Sequence, residues 1–70
     1  MIVEETGPAK SGKTTRLIAR ANKERAAGKA VTFHSFELTV VTLHLKGLHP
    51  AIPVVMNGGD KYREYIEIEE

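Results

Sequence analysis

Short apolar bursts alternate with polar, glycine-bearing breaks along this chain, and the rhythm outlines a strand, a helix and a second strand in its first half. Ile2 to Thr6 predicts a short opening strand. From Lys13 to about Ala27, Leu17, Ile18 and Ala21 recur at helical spacing, with Ala26 and Ala27 as weaker members of the stripe. Arg16, Arg20, Lys23, Glu24 and Arg25 cover the opposite side. Gly28 predicts a left-handed stop, with Lys29 beside it. Ala30 to Phe36 is β-branched and aromatic, which suits a second strand. Strand, helix and strand in this order predict a right-handed βαβ unit with parallel strands.

The second half has a weaker rhythm. Leu38, Val41, Leu45 and Leu48 stand three and four apart and predict a second helix. The β-branched run Thr39 to Thr42 would also suit a strand. Gly47 and the Pro50/Pro53 pair end that element, and Ile52 to Met56 predicts a third strand. Asn57-Gly58-Gly59-Asp60 is a turn signal. Lys61 to Glu70 alternates Tyr62, Glu64, Ile66 and Ile68, as a fourth, edge-like strand would. A short helix with Tyr62, Tyr65, Ile66 and Glu69 on one side fits nearly as well.

Composition narrows the class without fixing the chemistry. Seventy residues, 41% hydrophobic and 27% charged, are expected to form one small domain, residues 1–70, rather than a disordered tail. The net charge of +1 does not indicate a dominant nucleic-acid surface. The basic set Arg16, Arg20, Lys23, Arg25 and Lys29 reads as a solvated helix face. Glu64 to Glu70 reads as a solubilising acidic end. No cysteine is present, so disulfides and Cys-based zinc sites are excluded. Met1-Ile2-Val3 runs straight into Glu4-Glu5, and no apolar run nears the length of a membrane span. Neither a signal peptide nor a membrane partner is expected, and a cytoplasmic location follows as the default.

The chemistry-bearing motif is Gly7-Pro8-Ala9-Lys10-Ser11-Gly12-Lys13-Thr14, which fits the phosphate-loop (Walker A) pattern G-x-x-x-x-G-K-[ST]. Four fixed positions match by chance about once in 10⁴–10⁵ starting points. The strand before it and the helix after it make the match more specific still. Such a loop gathers main-chain N–H groups at the positive end of a helix dipole, where phosphates bind. Gly7 would allow the tight exit from the strand, and Gly12 the close approach of main chain to phosphate. Lys13 would reach the terminal phosphates, and the Thr14 hydroxyl would be one ligand of Mg²⁺. Thr15 extends the set of binding residues. The expected fold class is therefore α/β, a minimal P-loop βαβ unit with a small, mainly parallel sheet of three to four strands and one or two helices.

Thr6-Gly7 through Ile18, with Ala26 through Glu37, resembles the opening of RecA-like P-loop ATPases. The likeness is closer to DnaB-type replicative helicases and their RadA-like relatives, and it covers roughly the first half of this chain. It implies ATP with Mg²⁺ as ligand. By the same likeness Glu37, in Ser35-Phe36-Glu37, would polarise the water attacking the γ-phosphate. The family's second, metal-holding acid has no clear counterpart. Asn57 follows the third strand, and Asp60 lies beyond the glycines. Weak Mg²⁺ retention is therefore expected. An arginine finger would be Arg63 or come from another subunit. The family's first two strands are usually separated by others, a gap that Ile52–Met56 could fill.

His34, His44 and His49 are not spaced to form a metal site on one element. Tyr62 and Tyr65 suit packing more than stacking on a base. Three functions follow from these residues. The first is nucleoside triphosphate binding, with ATP the default, and weak or no hydrolysis alone. The second is an NTPase active only as a homo-oligomer. The third is a non-enzymatic interaction protein that imitates or caps a larger P-loop partner.

Overall fold

Residues 1–8, 10–56 and 63–70 are described by the structure, a computed structural model. The elements run strand β1 (Ile2–Val3), helix α1 (Lys13–Ala26), strand β2 (Ala30–Ser35), helix α2 (Val40–Leu45), strand β3 (Val54–Met56) and strand β4 (Tyr65–Glu69). Asn57, Asp60 and Tyr62, with the turn expected there, lie outside the described residues, as does Ala9.

The strands form one sheet in the order β1-β4-β2-β3. β2 pairs in parallel with β3, Phe33 opposite Val54. On its other side β2 pairs antiparallel with β4, Phe33 opposite Ile66. β4 in turn pairs antiparallel with β1, Ile66 opposite Val3. The sheet is thus mixed, not mainly parallel as the first half of the chain implied. β1 and β2 do run the same way, but the strand between them is β4 rather than the 52–56 segment, which lies outside β2 as an edge.

β4 was expected at an edge, and Glu64 to Glu70 as a solubilising end. Instead β4 is interior. Ile66 and Ile68 are fully buried on one side, while Glu67 and Glu69 stay exposed on the other. Carboxylates that emerge on an uncovered face cost nothing at a central position, so charge alone does not mark an edge strand. On that face His34 stacks on Tyr65, centroids 4.3 Å apart and planes within 8°. The Arg63 guanidinium lies 4.4 Å from the Tyr65 ring centre.

Both helices pack on the opposite face. Leu17, Ile18 and Ala21 of α1 meet Val31 and Phe33 of β2 and Ile66 and Ile68 of β4 in one core. Full burial of each large apolar side chain stabilises by about 1.5–3 kcal/mol. Ala26 and Ala27 are exposed, so the stripe on α1 stops at Ala21. α1 closes as its sequence suggests, with Gly28 at φ 91° just past the last turn.

Within the 38–48 stretch Val40–Leu45 is helical, and of the positions expected inward Leu38 and Leu48 pack at the core, while Leu43 takes the place of Val41 and Leu45. Leu43 and Leu48 are buried, whereas Val41 and Leu45 are 63% and 84% exposed. Thr39 caps α2 by accepting from the Thr42 amide at 3.3 Å, and Gly47 at φ 108° ends the segment. The chain reversal at Gly47 brings Leu48 back to the core and rotates the inward face onto Leu43. Asn22 of α1 fixes this reversal from both sides. Its Nδ2 donates to the Gly47 carbonyl at 2.8 Å, and its Oδ1 accepts from the His49 amide at 2.9 Å.

Candidate functional site

Two strands that run the same way, with an antiparallel strand between them, bring three connections to one edge of the sheet. β1 leads there into Glu4 and Glu5, β2 into Phe36 and Glu37, and β4 begins there after Arg63 and Glu64. The amino end of α1 lies at the same edge. Between these parts is an open cleft of about 460 Å³, within the size range of small-molecule sites. Lys13, Thr14, Glu37, Glu64 and Arg63 all line it.

The glycine loop owes its course to residues that tolerate left-handed backbone. Gly7 has φ 131° and Gly12 has φ 86°, and Lys10 between them takes φ 63° despite its side chain. A Cβ on Gly7 would also come within 3.1 Å of the Ser11 hydroxyl oxygen. Gly12 is the residue before the helix and offers no side-chain cap. The first intrahelical bond runs from the Arg16 amide to the Gly12 carbonyl at 3.0 Å. The amides of residues 13–15 therefore have no acceptor within the helix, and no acid occupies its first turn. Arg16 braces the loop, donating to the Ser11 carbonyl at 2.7 Å and pairing with Glu5.

Around these amides the lysines are uncompensated. Among the described residues neither Lys10 nor Lys13 makes an ion pair. A smaller pocket of about 210 Å³ opens at the helix start, lined by Lys10, Gly12, Lys13, Thr14, Thr15 and Lys46. Gly7 and Pro8 are exposed, and Ser11 is half-buried. Ala9 and Asp60 lie outside the described residues.

Glu37 lies within a turn closed by Ser35, whose hydroxyl donates to the Leu38 carbonyl at 2.7 Å. Glu37 precedes the Thr39 cap and is not part of the first turn of α2. It is exposed and has no hydrogen-bond or ion-pair partner among the described residues. Arg63, by contrast, is engaged. Its Nε and Nη2 donate to Glu4 Oε1 at 3.0 and 2.6 Å while its plane covers Tyr65.

Glu64 is the acid that the sequence did not single out. The Thr14 hydroxyl donates to Glu64 Oε1 at 2.8 Å, across 50 residues of chain. A hydroxyl that gives its proton to a carboxylate keeps its oxygen lone pairs for a cation. The signal was present in the alternation: Glu64 shares its side of the strand with Ile66 and Ile68, and a carboxylate on a buried face needs a partner. Lys46 left no such signal, because it enters the site through the Gly47 reversal.

Among the described residues, no group of three or more His, Cys, Asp or Glu side chains is arranged to hold a metal alone. The Thr14 hydroxyl and the Glu64 carboxylate are the side-chain oxygens that could meet a cation there. Among the described residues, no helix is long and apolar enough to cross a membrane. No protein-family model matches the chain, and no curated protein or solved structure does either.

Proposed function

We propose that this chain binds a nucleoside triphosphate, with ATP the working ligand, together with Mg²⁺, and hydrolyses it weakly or not at all when alone. The reading treats residues 1–37 as a minimal P-loop βαβ unit akin to the opening of RecA-like ATPases, working in the cytoplasm. The observation that carries it is the convergence at the start of α1 of acceptor-free amides, the unpaired Lys13 and the Thr14 hydroxyl, beside a cleft large enough for a nucleotide. A polyanion there would satisfy donors and charge that the described residues leave unmatched. Gly7, Pro8, Ala9, Lys10, Ser11, Gly12 and Thr15 complete the binding loop.

Thr14 and Glu64 would hold Mg²⁺ between them, and the ion would supply charge neutralisation to the phosphates. Glu64 takes the part for which Asp60 was the sequence's nearest candidate. Glu37 borders the same cleft and is the best-sited group to accept a proton from water. With no orienting partner among the described residues, slow turnover is expected, because a general base must be held in hydrogen-bond reach of the proton it takes.

Thermal melting with ATP, GTP or pyrophosphate, with and without Mg²⁺, tests the reading. A ligand at 100 times its Kd adds about 2.7 kcal/mol to the folded state, which raises the midpoint of so small a domain by about 10 °C or more. Lys13→Ala should remove that rise while leaving the unliganded midpoint in place. Absence of a rise with every phosphate at millimolar concentration would exclude the function. Turnover near or above about 1 s⁻¹ would exclude the slow-hydrolysis part.

A further inference from the structure

We infer that Lys46 makes the site selective for a triphosphate over a diphosphate, by closing on the outermost phosphate from α2, an element separate from the glycine loop. The inference rests on the phosphate-binding reading above and adds a specificity-determining residue to it. Lys46 caps the carboxyl end of α2, an element separate from the loop and from α1. It nevertheless lines both the small pocket at the start of α1 and the larger cleft that contains Glu37 and Glu64. Lys10 and Lys13 also border both spaces, but they approach from the loop side.

Charge explains why the third lysine matters. Lys46 is exposed and has no ion pair or side-chain hydrogen bond among the described residues. Arg63, the other cation lining the cleft, already serves Glu4. A diphosphate lying on the amides at the start of α1 is within the province of Lys10 and Lys13. A third phosphate extends the anion into a cleft edged by the carboxylates of Glu37 and Glu64, where it is repelled unless a cation faces it. Lys46 brings to that cleft a third cation with no ion pair among the described residues, beside Lys10 and Lys13 and from a separate element.

Its backbone is also held for the task. The Lys46 amide donates to the Thr42 and Leu43 carbonyls at 3.0 and 3.1 Å. The next residue is fastened to α1 through the Asn22–Gly47 bond. The stem of Lys46 is thereby tied to the same helix whose first turn would carry the phosphates. Asn22 is a positioning residue in this scheme and touches no ligand. The competing account, that Lys46 merely complements the carboxyl end of a short helix, predicts no dependence on phosphate number.

Calorimetric titration of ATP and ADP, each with Mg²⁺, into the unaltered chain and into Lys46→Ala distinguishes the two accounts. The expected result is a roughly tenfold weaker Kd for ATP in Lys46→Ala, with the Kd for ADP within about twofold. Lys46→Arg should restore most of the ATP affinity, and Asn22→Ala should lower the ATP/ADP preference in part. Equal losses for ATP and ADP, or no loss for either, would overturn the inference while phosphate capture stands. Failure of the unaltered chain to bind either nucleotide would overturn both readings. Because Lys46 is exposed, melting curves of the unliganded Lys46→Ala and Lys46→Arg variants are expected to overlay that of the parent.

Discussion

The helix-covered face of the sheet and the cleft at its end share strands but obey opposite rules. On the covered face Phe33, Leu43, Ile66 and Ile68 are fully buried; among the described residues no charged side chain is buried, and the buried polar residue, Ser35, is hydrogen-bonded. At the cleft, lysines, arginines and glutamates crowd together, and several have no partner among the described residues. One strand serves both. β4 supplies Ile66 and Ile68 to the core, while the residue just before it, Glu64, reaches Thr14. Neighbouring positions at the start of one strand therefore have separable places, one in the core and one at the cleft.

The largest expected effect tests the covered face. Ile66→Ala removes a fully buried side chain opposite both Phe33 and Val3, at a cost of about 2–5 kcal/mol. A domain of this size has only a few kcal/mol more than that in total, so the melting midpoint should fall by more than about 10 °C. A fall of only a few degrees would mean that the core is not organised around β4. Glu64→Gln probes the cleft on the same strand. Its amide oxygen can still accept from Thr14, so the midpoint should move by no more than about 3 °C. The ratio of ATP affinity with Mg²⁺ to that with a chelator should shrink by about tenfold. An unchanged ratio would remove Glu64 from the cation site.

The smallest effect belongs to neither region and calibrates both. Glu24, on the solvent side of α1, is held below its ordinary carboxyl value of 4.5, first by the hydrogen bond from Arg20 and then by the charges of Lys29 and Arg20, against a desolvation that raises it. A depressed folded-state value means that the pair stabilises above the ordinary value and stops doing so as pH falls through the depressed one. The difference in melting midpoint between the parent and Glu24→Gln should therefore be slight at pH 7 and disappear in acid. It should also weaken with added salt, since these groups are near the surface. A difference that grew in acid would reverse the assigned sign.

How much of this was legible in the sequence depended on whether local chemistry or long-range order decided the outcome. Leu17, Ile18 and Ala21 announced the buried stripe of α1, and Gly28 its end, because both are set within a few residues. The cleft's loop side was legible for the same reason, since Gly7 and Gly12 stand where the backbone takes positive φ. Strand order was not. Period-two alternation assigns the faces of β4 but says nothing of its neighbours, and charged Glu67 and Glu69 suggested an edge that the uncovered face made unnecessary. On α2, spacing alone favoured Val41 and Leu45 over Leu43, and the reversal at Gly47, held by Asn22, settled the matter the other way. The Thr14–Glu64 contact depends on that same strand order, which is why a motif scan finds the first residue and passes over the second.

The first strand is zipped to the rest of the sheet only along β4, with Met1 and Ile68 exchanging main-chain bonds of 2.7 and 2.8 Å at its outer end. The two are links in series. Any fluctuation that peels β4 away also frees the segment feeding the glycine loop, so slow deuterium uptake at Ile2 and Val3 can never outlast that at β4. The order of the glycine loop near one end of the chain is in this way answerable to breathing motions at the other.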